Sequence, residues 1–415
     1  MKQLSLRSWS SSLLLLCCVA GSTAGAQTAR EVSIIDAEKE KATHLTPGSA
    51  PHGEQVFDKV ESHIIDRIFT PDGFSLKLGG MPSGAGFSLG PSYTRTDLLG
   101  HKLTSESSIV GSIQQWYRAD SSLQTNPLFS RHMTLRLEAG YENARSFPYF
   151  GQSIDPAFKT KTNFRREFTT IHAVPLFHFF GGKITAGYQP GGLLVNVGPG
   201  NTSVSPSADS IYTPANTPGL ARQSNFFTGT SMIDFNNSKD SFSNEDGYHL
   251  QAADTQFWDK SGGNSNFHLL QTQLIYTKPF MNGMRAITLR AKNETTFHDG
   301  SQVVPFYLQP TLGGPNDLRG FERYYYYGNG SSLVSAEYRW SVAGTLEMAV
   351  FGDTGNIYSR PGLIGVRNLK SDGGIGFRVK NKQTTVMRVD IGVSTEGVKL
   401  WFVFNEAFPK LFRSY

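Results

Sequence analysis

Between Leu333 and Trp340 the chain reads LVSAEYRW, so that Val334, Ala336, Tyr338 and Trp340 fall on one face of an extended strand and Ser335, Glu337 and Arg339 on the other. A period of two with a charged reverse face marks a strand lying between an apolar and a polar environment. A few residues on, Leu346, Met348 and Val350 alternate with Glu347, Ala349, Phe351 and Asp353, so two neighbouring strands turn carboxylates to one side. The alternation recurs at Met133, Leu135, Leu137, Ala139 and Tyr141 against Arg136, Glu138 and Glu142, and at Ile287, Leu289 and Ala291 against Arg290, Lys292 and Glu294. It returns at Ile375, Phe377 and Val379 against Arg378 and Lys380, and at Met387, Val389, Ile391 and Val393 against Arg388 and Asp390.

Read this way, the chain predicts 14 strands from Gly86 onward, with the second running from Leu103 through Ile109 and Ile113 to Tyr117. Asn143 to Arg165 and Gly198 to Gln223 are expected as loops, and Pro190-Gly191-Gly192 as a bulge or bend. A further hairpin at Pro71 to Gly80 with the segment before it would make the count 16. A soluble sandwich alternates too, but tyrosine and tryptophan near strand ends, as at Tyr117, Tyr141, Tyr276 and Trp340, suit the two aromatic girdles of a transmembrane barrel. The predicted fold is therefore all-β, an antiparallel up-and-down transmembrane barrel.

Composition changes this picture in two places. Met1 to Ala26 has the charged start (Lys2, Arg7), the short apolar run Leu13 to Ala20 and the Ala24-Gly25-Ala26 cleavage pattern of a signal peptide, so export is expected. Both cysteines, Cys17 and Cys18, leave with it, and no disulfide or thiolate metal site is expected. Residues 27–72 are read as a periplasmic segment carrying a short amphipathic helix at 54–69, with Val56, Phe57, Val60, Ile64, Ile65 and Ile68 on one side, and residues 73–415 as the barrel. A net charge of +5 on 415 residues says little about partners and gives no reason to expect nucleic acid.

The chemistry-bearing stretch is a long loop, about His298 to Gly330, with LRGF at Leu318, Arg319, Gly320 and Phe321 and a run of tyrosines from Tyr324 to Tyr327. A guanidinium there suits the carboxylates of the two strands that follow, because a poorly solvated carboxylate needs a cation. Together with Leu312-Gly313-Gly314 before it and FGDTGNIY from Phe351 to Tyr358 after it, this motif resembles the barrel domain of the BamA/TamA superfamily, also called the bacterial surface antigen family. The resemblance implies 16 strands as the usual number, a loop folded back into the lumen, and contacts from Arg319 to Asp353, Phe351 and Glu337. It also implies an aromatic-terminated insertion signal on the last strand, matched here by Phe402, Phe404 and Phe408, with Pro409 to Tyr415 running past it.

No periplasmic POTRA repeat is expected, since about 45 residues precede the barrel. The resemblance implies integration in outer-membrane lipid, the barrel-assembly machinery as a partner during biogenesis, and unfolded outer-membrane proteins as clients for insertion or polypeptide transport. The alternative is a structural or porin-like barrel without clients. There is no G-x-S-x-G, H-E-x-x-H or Gly-rich phosphate loop, so no enzyme, cofactor or metal is expected. His172 and His178 share a strand face but lie roughly 20 Å apart in an extended chain, too far for one ion.

Overall fold

The computed structural model describes residues 72–128, 132–152, 159–237, 246–343, 346–360, 368–380 and 385–404. The leader at 1–26, the helix expected at 54–69 and Phe408 lie outside these residues. The strands are β1 (Gly73–Leu78), β2 (Ser88–Asp97), β3 (Leu103–Ser112), β4 (Tyr117–Thr125), β5 (Met133–Tyr149), β6 (Thr162–Phe179), β7 (Ile184–Pro199), β8 (Phe226–Asn236) and β9 (Gly247–Asp259). They continue with β10 (Phe267–Phe280), β11 (Arg285–Phe297), β12 (Thr311–Leu312), β13 (Tyr326–Tyr327), β14 (Gly330–Ala343), β15 (Leu346–Tyr358), β16 (Lys370–Lys380), β17 (Thr385–Ser394) and β18 (Gly397–Val403). Sixteen of them form one antiparallel sheet in chain order, in which β11 pairs with β14, while β12 and β13 make a two-residue ladder inside the intervening loop.

The sheet curls around that loop. At about 4.8 Å per strand a flat sheet of this size would span roughly 70 Å, yet the loop touches both ends of the strand order. Arg323 reaches Ser83 between β1 and β2, and Tyr327 reaches Pro148 on β5. Gly320 accepts from Ser394 on β17, and Arg319 from Trp401 on β18. No β1–β18 ladder is present among the described residues, and the two edges meet at Gly79 and Phe404, where the Phe404 ring packs on Phe87 at 5.3 Å.

Burial is inverted relative to a soluble protein. On β14, Val334 is 53% exposed while Ser335 and Glu337 are each 1% exposed, and on β15, Val350 is exposed while Glu347, Phe351 and Asp353 are buried. Leu137, Leu289 and Leu400 likewise point outward, Leu135 and Val389 are half-buried, and Arg378, Arg388 and Asp390 are sealed within. An apolar outer band with ionic groups inside is what a bilayer requires of a closed sheet. Tyr248–Tyr276 and Tyr338–Trp340 stack at one end of the band, and Tyr117–Tyr141 pack at the other.

Three sequence expectations need correction. The stretch 103–117 is two strands, because Ile113 to Trp116 turn the chain through Gln115 at positive φ and drop Trp116 into the interior. Of the hairpin expected at Pro71 to Gly80 with the segment before it, β1 is present and pairs with β2, while the preceding segment lies outside the described residues. With β4 and β1 added, the 14 strands read from the sequence become 16, and the even parity that puts both ends of the sheet on one side is kept. Pro190-Gly191-Gly192 is not a bulge: register is preserved from His172↔Gly191 to Leu176↔Gly187, and the ladder merely lapses where Pro175 and Pro190, which have no N–H, stand.

The third correction concerns height. Asn143 to Arg165 is strand for much of its length, since β5 runs on to Tyr149 and β6 starts at Thr162. Seventeen and eighteen residues exceed the 9–11 that cross a bilayer, so this wall rises above it on the side of the long loop. Its inward aromatics Phe147, Tyr149, Phe164 and Phe168 pack with Trp116 and with Phe306, Tyr307 and Tyr327 of the long loop. The result is an apolar dome over the outer mouth.

Candidate functional site

Beneath the dome the long loop carries Arg319 into the wall of β14 and β15. Nε and Nη2 donate to the two oxygens of Asp353 at 2.7 and 2.9 Å, Nη1 donates to Glu337 Oε2 at 2.6 Å, and Cζ lies 3.4 Å from the Phe351 ring centre. Glu337 and Asp353 project to the same side because their positions, opposite Phe351 and Ser335, keep one parity across the β14–β15 ladder. A planar fork that satisfies one carboxylate with two bonds, a second with a third, and stacks on an aromatic face uses every property that separates arginine from lysine. Burial opposes the Arg319 charge, but Asp353 and Glu337 outweigh it and hold the guanidinium protonated above its ordinary range.

The sequence placed four of these groups, and the structure adds others. Trp401 Nε1 donates to the Arg319 carbonyl at 2.6 Å, and Arg378 on β16 donates to Glu337 Oε2 at 2.7 Å while lying 3.3 Å from Asp390. Arg388 pairs with Asp390, and Arg339 stands 3.7 Å from Glu337. Alternation had shown that Arg378, Arg388 and Asp390 face inward; their depth along the barrel, which decides whether they meet the loop, has no sequence signature.

Leu318 and Phe321 flank the arginine and are fully buried with Leu312, Tyr325, Tyr326, Leu333 and Ile357, which fixes the loop on either side of its charge. Gly320 is required by close approach. A Cβ there would lie 2.6 Å from Asp372 Cβ and 2.8 Å from Ser394 Cβ, so only a bare backbone lets the Gly320 carbonyl accept from Ser394 Oγ at 2.7 Å. Gly392 answers from the wall, where a Cβ would overlap the Arg319 carbonyl. Gly320→Ala, which keeps Arg319, is expected to destabilise the barrel by about 1–3 kcal/mol through overpacking, read as a lowered urea midpoint of tryptophan fluorescence in vesicles. An unchanged midpoint would show that the loop seat has slack.

Phe402 on β18 is exposed on the outer face and Phe404, just past the end of that strand, packs half-buried against Phe87, while Phe408 is outside the described residues. His178 bonds Thr134 and Thr185, His172 is buried apart from it, and among the described residues there is no cluster of metal-ligating side chains.

The Omp85 superfamily domain matches residues 204–394, which include the long loop and both carboxylates that pair with Arg319. A comparison with curated protein sequences finds no match. Among solved structures, BamA from Haemophilus ducreyi lacking POTRA domains 1-3 superimposes with a TM-score of 0.57 at 16% identity, covering 80% of this chain and 69% of that one. CdiB from Escherichia coli superimposes with a TM-score of 0.52 at 11% identity, over 86% of this chain and 70% of that one. At such identities the likeness is one of fold, and the described residues hold only the barrel and its loops. With its 16-stranded sheet and its inward loop, the chain has a BamA-like β-barrel fold and carries an Omp85 superfamily domain over residues 204–394.

Proposed function

We propose that the protein is an integral outer-membrane barrel that assists insertion or transport of other polypeptides, working at the junction between β1 and β18. The observation that carries this reading is the seam. β1 and β18 are six and seven residues long, against seventeen and eighteen for β5 and β6, and they share no ladder among the described residues. An edge strand with unpaired N–H and C=O groups is a template for an incoming strand, and one that borders lipid would release a paired client into the bilayer. The matched domain and the BamA-like fold support the outer membrane as its place.

The porin-like alternative has the dome against it. Solute passage needs a continuous aqueous path, whereas the upper lumen is filled by Trp116, Phe147, Tyr149, Phe164, Phe306 and Tyr327 and the tip below is pinned by ion pairs. A polar cavity of about 330 Å³ does remain along β3 to β5, lined by Glu106, Arg118, Asp120, Arg136 and Glu138, but it lies against one wall under this cap.

The testing experiment is insertion of an urea-unfolded outer-membrane barrel client into liposomes with and without the purified full chain, followed by the heat-modifiable folded band. Acceleration over empty liposomes is expected. Equal rates together with large steady single-channel currents from the protein alone would replace this reading with the porin.

A further inference from the structure

Four residues before Arg319 the loop is gripped a second time, from two separate parts of the wall. Arg290 on β11 donates through Nη1 to the Asn316 carbonyl at 2.6 Å. Arg388 on β17 donates through Nη2 to the Pro315 carbonyl and to Asn316 Oδ1, both at 2.8 Å. Both guanidiniums are buried, and each is aimed by a wall partner, Arg290 Nε by Gln273 at 2.8 Å and Arg388 by Asp390. Lys292, two residues along from Arg290 on the same inward face, adds an ion pair to Asp317 at 3.4 Å. β14, β15 and β16 stand between β11 and β17 in the sheet, so the two arginines reach the loop from opposite flanks of the strands that hold Arg319.

We infer that Arg290 and Arg388 are positioning residues forming a second catch on the loop, which keeps the tip in the lumen when the Arg319 ion pairs open. The acceptors differ in kind between the two catches. Arg319 neutralises Asp353 and Glu337, so its departure exposes buried carboxylates, whereas Arg290 and Arg388 hold neutral carbonyls and keep Gln273 and Asp390 if the loop leaves. The two grips share no hydrogen-bonding group among the described residues, and Arg378, which touches both Glu337 and Asp390, bridges them. The loop can therefore loosen at 319–321 while 315–317 stay docked. This deepens the proposed function by naming what restrains the loop during work at the seam, and its use there rests on that reading.

Hydrogen–deuterium exchange of the full chain in detergent micelles, followed in peptides covering 312–323, tests the inference without any client, so failure of the insertion assay leaves it standing and the converse also holds. Arg319→Ala is expected to speed exchange in this segment about tenfold, and adding Arg290→Gln and Arg388→Gln about a further hundredfold, as local opening loses its remaining bonds. Residues 103–109 of β3, whose partners lie on β1, β2 and β4, should keep their protection throughout. If the triple variant fails to give a heat-modifiable band, Arg319→Ala with Arg388→Gln alone is expected to fall between. Arg319→Ala exchanging as fast as either combined variant would overturn the second catch, and so would a parallel loss of protection in β3, which would mark global unfolding.

Discussion

Replacing Arg319 with alanine is expected to destabilise the folded barrel by about 3–5 kcal/mol, the cost of breaking a buried ion pair from one side. Asp353 bears most of it. Both its oxygens bond Arg319, and among the described residues no other cation lies within ion-pair distance of it, whereas Glu337 keeps Arg378 at 2.7 Å and Arg339 at 3.7 Å. Asp372 stands directly across the ladder from Asp353, so the loss leaves two carboxylates facing each other. Asp353→Asn in the same chain should therefore recover a large part of the stability, while Glu337→Gln should recover little. Arg319→Lys is expected to behave more like alanine than like arginine, because an ammonium cannot bond Asp353 twice and Glu337 once while stacking on Phe351. The urea midpoint of the four variants measures this, and an Arg319→Ala loss below about 1 kcal/mol would place the pair among those that contribute nothing net. In planar bilayers the same variant should show brief openings and no steady pore, since the aromatic dome does not depend on Arg319.

How much of this was legible beforehand follows from which interactions leave a periodic trace. The walls were, because lipid on one side and ions on the other impose a period of two that survives from β5 to β18. The Arg319 group was, because LRGF and FGD are short and contiguous. The turn between β3 and β4 was not, since Ile113 and Tyr117 lie on either side of it with the same outward parity, so the alternation never breaks. The upper parts of β5 and β6 were not, because their inward face meets other aromatics instead of charges and FPYF carries no apolar–polar contrast. The catch at Pro315 and Asn316 was invisible for a simpler reason: its acceptors are mostly main-chain carbonyls, which every sequence possesses. Trp401 alternates with Leu400 and Phe402 and so faces inward, but its bond to Arg319 exists only because the curled sheet brings the last strand beside a loop 82 residues earlier.

The seam yields the other large effect. A Cβ built on Gly79 would lie 3.8 Å from Phe404 Cβ, the mean spacing across a disulfide, so the Gly79→Cys/Phe404→Cys variant should close by oxidation and tie β1 to the end of β18. Gly79 has a φ of +75°, so a cysteine there costs about 1–2 kcal/mol in backbone strain, which the barrel can bear without changing fold. Losing the Phe404 ring also removes its contact with Phe87, and the single Phe404→Cys variant controls for that. If clients pair with the exposed edges, the oxidised protein should lose about tenfold or more of its liposome-insertion rate, as expected when a gating motion is blocked. Dithiothreitol should restore it to the level of the single variant. Because the bond joins the strands away from Arg319, the exchange protection of residues 312–323 should be the same in both redox states. A fully oxidised protein that inserts clients as fast as the reduced one would mean that the gap between β1 and β18 is incidental, and that any activity resides in the lumen or at the membrane surface.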